Sequence, residues 1–150
     1  MNGQLDPIQL MKTISELEYK INALATIQTG GIWTAYTPTW TATSNPDIGN
    51  GTLTGKYTII GKTCHLNIYL LAGSTTTYGT GEWIFSIPKT ASGATESGTV
   101  KILDSGTGWF DLVCKFSNTT TIYIPPVTAS YPMTWAENDT LWLNITYEIT

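Results

Sequence analysis

The stretch SELEYKINALATIQTGGIWTAYTPTW, from Ser15 to Trp40, changes character at Gly30-Gly31. Before the two glycines, apolar residues return at helical spacing. After them, aromatic residues and threonines alternate as they do in strands. The switch divides the chain into a helical segment, residues 1–30, and a β domain, residues 31–150. On the N-terminal side the helix start signals are complete. Asp6 suits an N-cap, Pro7 the first helical position, and Gln9 the far side of a capping box. Leu5 and Leu10 hold the two staple positions. The helix is expected to run from Pro7 to about Thr29, where Gly30-Gly31 ends it.

Within this helix the apolar residues form a heptad seam: Leu10, Ile14, Leu17, Ile21 and Leu24. Ile14 and Ile21 take a positions and the three leucines take d positions, so the segment is expected to be a parallel coiled-coil stalk. Ile at a with Leu at d favours a dimer. Met11 and Ala25 at e and Ile27 at g widen the stripe in the way a three-helix contact needs. Glu18 at e faces Thr13 at g, which gives no dimer-specific ion pair. Local pattern leaves dimer and trimer open, with packing of a single helix on its own domain as the alternative to both.

C-terminal to Gly31 no segment keeps a helical period. Eight alternating runs, each bounded by Gly, Asn, Pro or Ser, predict strands at Ala35–Thr43, Thr52–Ile60, Thr63–Leu71, Glu82–Ile87, Thr99–Leu103, Trp109–Phe116, Thr121–Ile124 and Leu141–Ile149. Gly61-Lys62 reads as the turn of a tight hairpin. Leu141, Leu143, Ile145, Tyr147 and Ile149 share one face of the last strand. The fold class is therefore mainly β: a short helical stalk followed by an antiparallel, jelly-roll-like β-sandwich. The stretches YTPTW and IYIPP belong at sheet edges or strand ends, because proline cannot donate to a ladder.

Composition narrows the function. Charged residues make up 12% of the 150 residues, against about a quarter in ordinary soluble domains, and the formal net charge is −4. No run of Lys or Arg supplies a nucleic-acid footprint. No apolar run approaches the roughly 20 residues of a membrane span, and no basic-then-apolar leader opens the chain. Six Trp, eight Tyr and three Phe argue against disorder. Cys64 and Cys114 each fall on the apolar phase of a strand, which predicts two buried thiols, with a single disulfide as the alternative.

The sequence spells out no catalytic constellation. The glycine stretches GNGTLTG and GTGEW lack the Lys-Ser/Thr of a phosphate loop. His65, the one histidine, lies inside a strand with neither metal-ligand spacing nor a nucleophile elbow near it. Asp104, Asp111, Glu82, Glu137 and Asp139 offer carboxylates but no defined pair. No metal or other cofactor is expected. Binding has more support: GSTTTYGTG carries Tyr78, DSGTGW carries Asp104, and ASYPMTWAEND carries Tyr131, Trp135 and Asn138. Loop aromatics beside small polar acceptors can stack on sugars and hydrogen-bond their hydroxyls, which makes these five residues glycan-contact candidates. The competing expectation is that the same rings plug the ends of the β domain.

The run from Trp33 to Pro88, with YTPTWT (Tyr36–Thr41), GNGTLTG (Gly49–Gly55), IGKT (Ile60–Thr63) and GSTTTYGTGEWIFSIP (Gly73–Pro88), resembles the distal β domains of small bacteriophage tail and head-fibre proteins. The resemblance covers the first half of the β domain and marks a module, not an activity. It implies a homotrimer made in the bacterial cytoplasm and exposed on the virion surface. Its N-terminal residues 1–10 would join other virion structural proteins, and its β domain would form an outward knob, to which the loop aromatics above add host surface polysaccharide as a partner. It tilts the oligomer towards a trimer. Two other readings stay open: a capsid fibre or decoration protein with a structural role, and a cell-wall polysaccharide hydrolase.

Overall fold

In the computed structural model of the chain, residues 6–28 and 31–150 are described. The chain is mainly β with one N-terminal helix, and it falls into two compact units that divide between Ile32 and Trp33. The helix, α1 (Pro7–Gln28), begins at Asp6. There the Ile8 N–H donates to Asp6 Oδ1 at 3.0 Å and the Leu10 N–H to the Asp6 carbonyl at 2.9 Å. The first satisfies an amide that a helix start otherwise leaves unpaired, and the second is the first regular bond of the helix. The staple at Leu5 and the stop at Thr29-Gly30 lie outside the described residues. Every seam side chain is open in the single chain: Leu10, Ile14, Leu17, Ile21 and Leu24 are 46–61% exposed.

The second unit is one antiparallel sheet of nine strands. In chain order these are β1 (Thr34–Tyr36), β2 (Trp40–Thr41), β3 (Thr52–Ile60), β4 (Thr63–Leu71), β5 (Ile84–Ser86), β6 (Ser97–Asp104), β7 (Gly108–Asn118), β8 (Thr121–Tyr123) and β9 (Thr140–Glu148). Across the sheet they run β1-β3-β4-β9-β6-β7-β8-β5-β2. The expected sandwich divided its strands between two sheets, and this is a correction to it. The strand expected over Ala35–Thr43 is instead β1 and β2, which lie at opposite edges of one sheet.

Three residues, Thr37–Thr39, carry the chain from one edge to the other, so the sheet must curl until its edges nearly meet. Pro38 has no amide to give to a ladder, which stops β1 from continuing. The seam is held by Ser86 of β5: its N–H donates to the Thr39 carbonyl at 3.1 Å, its hydroxyl accepts from the Thr39 N–H at 2.9 Å, and its carbonyl accepts from the Tyr36 hydroxyl at 3.4 Å. Tyr36 reaches across because Gly55, its cross-strand partner, has no side chain. A Cβ at Gly55 would occupy the space of the Tyr36 ring.

Curling gives each strand an inner and an outer face. Cys64, Leu66, Ile68 and Leu70 of β4 point inward, as do Leu141, Leu143, Ile145 and Tyr147 of β9 and Val100 and Ile102 of β6. Cys114, Phe116, Ile122 and Phe85 meet them from the other side of the curl. Each such side chain contributes roughly 1.5–3 kcal/mol through burial, so this alternation decides the register. Cys64 and Cys114 are both free and buried.

Candidate functional site

Three loops carry the sequence-selected candidates, and antiparallel pairing brings all three to the end of the sheet where β4 and β6 finish and β7 and β9 begin. Asp139 ties them together. Its Oδ1 accepts from the Ser105 N–H at 2.8 Å and its Oδ2 from the Ala136 N–H at 2.6 Å. Its backbone carbonyl accepts from the Ala72 N–H at 2.9 Å, and the Asn138 N–H donates to the Ala72 carbonyl at 2.9 Å. Asp139 is 1% exposed. A buried carboxylate with these partners is a clamp on loop backbones.

The aromatic candidates divide. Trp135 is 4% exposed and lies 4.6 Å from Trp83, centroid to centroid. Trp83 is in turn 4.6 Å from Trp40. Tyr78 covers the cluster, 6.1 Å from Trp135 and 6.2 Å from Trp83, and its carbonyl accepts the Trp83 indole N–H at 3.2 Å. Burial, and then the charge of Asp139, push the Tyr78 hydroxyl above the usual tyrosine range. Trp135 thus plugs the end of the domain, and Tyr78 is half-buried against the same plug. Tyr131 is 49% exposed, Asn138 is exposed with a left-handed backbone (φ 71°), and Asp104 is half-buried at the end of β6.

The Gly73–Gly81 loop is locked by side-chain and backbone hydrogen bonds. Asn50 Oδ1 accepts from the Thr75 N–H and Thr75 hydroxyl, both at 2.9 Å, and Asn50 Nδ2 donates to the Ser74 hydroxyl at 2.9 Å. The Thr76 hydroxyl donates to the Ile48 carbonyl at 2.6 Å, and Asp47 and Thr77 exchange backbone bonds at 2.8 and 2.9 Å. Gly79 has φ 61°, and any Cβ there would collide with the Ser44 carbonyl oxygen. GNGTLTG and GSTTTYGTG are therefore the two sides of one hydrogen-bonded clip.

Sequence reasoning missed the outer face of β3, β4, β9, β6 and β7. Register places Thr54, Tyr69, Trp142, Lys101 and Asp111 side by side across these strands. The next outward row is Lys56, Asn67, Asn144, Thr99 and Val113. Tyr69 and Trp142 lie 5.5 Å apart, and Trp142 and Trp109 also 5.5 Å. Trp109 is 58% exposed, with Lys101 Nζ 5.6 Å above its ring and 3.8 Å from Asp111. Lys56 Nζ stands 5.1 Å over Trp33. Asn67 donates to Asn144, and His65 Nδ1 lies 3.0 Å from the Thr146 hydroxyl.

Two clefts lie in this face. One, about 500 Å³, runs from Ala35, Thr54 and Lys56 to Tyr69 and Trp142. The other, about 490 Å³, lies between Trp33, His65 and Thr146 on one side and Ser97 and Thr99 on the other. Both volumes fall in the range of small-molecule sites. Asn67 and Asn144 line both clefts. The signal in the sequence was a large aromatic on the polar phase of a strand, present at Tyr69, Trp109 and Trp142.

With this geometry in hand, comparison with known proteins finds one informative likeness. Over 114 aligned residues the chain is 34% identical to a Haemophilus influenzae protein described as a Mu-like prophage FluMu defective tail fiber protein. The match covers 70% of this chain and 18% of that protein, so the chain corresponds to a small part of the relative's length. No family model matches the chain, and no solved structure matches it. Among the described residues no helix is long and apolar enough to cross a membrane, and no group of His, Cys, Asp or Glu is placed to hold a metal ion.

Proposed function

We propose that the chain is a bacteriophage surface protein: a short trimeric fibre, attached to the particle through its N-terminal segment, whose β domain contacts glycans on the host cell. The observation that carries this reading is the 34% identity to a protein described as a prophage tail fibre. The motif that resembles small phage fibre modules points the same way. The role is one of binding.

The helix supports the oligomeric part. Five seam side chains 46–61% exposed leave apolar area that only another helix can cover efficiently. Each gains on the order of 1 kcal/mol when the seam closes. Within the β domain, Thr34 pairs with Tyr57 near the Gly61 turn, whereas the clamped loops follow Leu71 and Asp104 at the far end. The chain therefore enters the domain away from its loops, as a fibre tip requires.

Light scattering on the purified protein should give about 49 kDa, three times the 16.4 kDa chain mass. Antibody labelling of intact particles should mark the tail, and added protein should compete with particles for host cells. A monomeric protein would remove the trimer. Labelling confined to the capsid with no competition would replace receptor binding with a decoration role.

A further inference from the structure

Resting on the glycan-binding reading, we infer that the ligand lies on the outer face of β3, β4 and β9, not on the loop tips, and that it is an extended saccharide carrying acidic groups. Three observations lead there. The two clefts adjoin end to end along the strands, meeting at the hydrogen-bonded pair Asn67 and Asn144, and a ligand crossing that pair would occupy both as one trough. The trough spans the outward rows from Thr54 and Tyr69 to His65 and Thr146, four residues along each strand. At about 3.3 Å per residue that is roughly 13 Å, which suits a chain of sugars better than a single ring.

The second observation is the lining chemistry. Tyr69 and Trp142 supply aromatic surface at one end of the trough and Trp33 at the other. Between them stand the amides of Asn67 and Asn144 and the hydroxyl of Thr99. Sugars present alternating apolar C–H faces and hydroxyls, and this order of side chains matches that alternation. A protein partner would need a wider apolar core than the separated rings of Tyr69, Trp142 and Trp33 provide.

The third is charge. The protein as a whole is acidic, with a net charge of −4. Among the described residues lining the two clefts there is no carboxylate, and Lys56 is the one formal charge. Its Nζ lies over the Trp33 ring, which fixes a cation at the junction of the trough. A carboxylate or phosphate on the sugar would sit against Lys56, and the rest of the acidic surface would repel it elsewhere.

Calorimetry with the full-length protein tests this, using an oligogalacturonate as the acidic probe and a maltooligosaccharide of equal length as the neutral one. The acidic probe should bind more tightly, and added salt should weaken it. Trp142→Ala and Thr54→Trp, which respectively remove a wall and fill the cleft, should each lower affinity about tenfold or more. Lys56→Gln should erase the preference for the acidic probe, and Lys56→Arg should retain most of it. Circular dichroism establishes that each variant is folded.

Equal binding of both probes, or binding indifferent to Lys56→Gln, overturns the acidic assignment. Binding lost in Tyr131→Ala but kept in Trp142→Ala and Thr54→Trp moves the site to the loops. A changed oligomeric state in Trp142→Ala with no binding by the wild type makes the face a contact between copies. Each of these leaves particle labelling unaffected, so failure of the inference is distinguishable from failure of the phage-fibre reading.

Discussion

Asp139 holds three loop segments with one carboxylate and two backbone groups, and it does so without exposure to water. Replacing it by alanine strands the Ser105 and Ala136 amides. Hydrogen bonds to a charged group contribute about 1.5–3 kcal/mol each, so Asp139→Ala should cost about 3 kcal/mol or more. At this chain length that lowers Tm by roughly 6–12 °C, readable by calorimetry. Asp139→Asn keeps one acceptor and should lose less. Equal Tm values for the wild type and Asp139→Ala would mean the clamp is idle.

The two thiols make a different prediction. Burial pushes Cys114 up from 9.0 to about 11, partly offset by the backbone N–H groups of Gly98 and of Cys114 itself. Burial also pushes Cys64 up, offset by the Tyr147 hydroxyl and Lys89. The thiolate is the nucleophile, so iodoacetamide at pH 8 should label neither cysteine in the folded protein and both after unfolding. The folded state keeps the Cys114 proton to a higher pH than the unfolded state does. The stability this contributes is fully present below about pH 9 and is lost as pH rises towards 11. Denaturant midpoints should fall across that window, and Cys114→Ala should flatten the fall. An unchanged slope in that variant would contradict the assignment.

At the scale of the element, α1 has its own cap, its own compact unit and an open seam. Ile14→Asp with Ile21→Asp places like charges where the seam would close, which an apolar contact cannot tolerate. The double variant should scatter as a 16.4 kDa chain, with the thermal transition of the β domain unchanged. Persistence of the full assembly would place self-association elsewhere. How well elements could be read from sequence depended on what closes them. β3 and β4 were legible to the residue because a two-residue turn at Gly61-Lys62 fixes their register. β1 and β2 read as one strand, because alternation continues through Pro38 while the pairing partner changes from Gly55 to Phe85. No local pattern records a change of partner.

For the molecule as a whole, the sequence gives the inner face and hides the outer one. Inward residues repeat along each strand, so Leu66, Ile68 and Leu70 identify themselves. Tyr69, Trp142 and Trp109 come from three different strands and become neighbours only through register. Whether Tyr78 and Trp135 face solvent or plug the domain was hidden for the same reason, since their partner Trp83 arrives from a third segment. Asn50 and Thr75 show the reverse case: two motifs whose joint presence in the sequence has its cause in one hydrogen-bonded clip.

The position of β9 has a consequence for how the protein is made. It is the last strand of the sheet to be synthesised, yet it lies between β4 and β6. Until Thr140–Glu148 has left the ribosome the nascent chain holds two half-sheets, β1-β3-β4 and β6-β7-β8-β5-β2, each with an unpaired apolar-faced edge. Folding of the domain must therefore wait until Thr140–Glu148 has emerged, and its decisive pairings join distant parts of the chain, which is slow and leaves sticky edges exposed meanwhile. A ribosome stalled before residue 140 should yield a protease-sensitive nascent chain, and one stalled with residue 150 well clear of the exit tunnel a resistant one. A chain cut short before β9 would then keep the edges of β4 and β6 open and fall to proteases, so the order of synthesis alone makes possession of β9 the condition for a lasting domain.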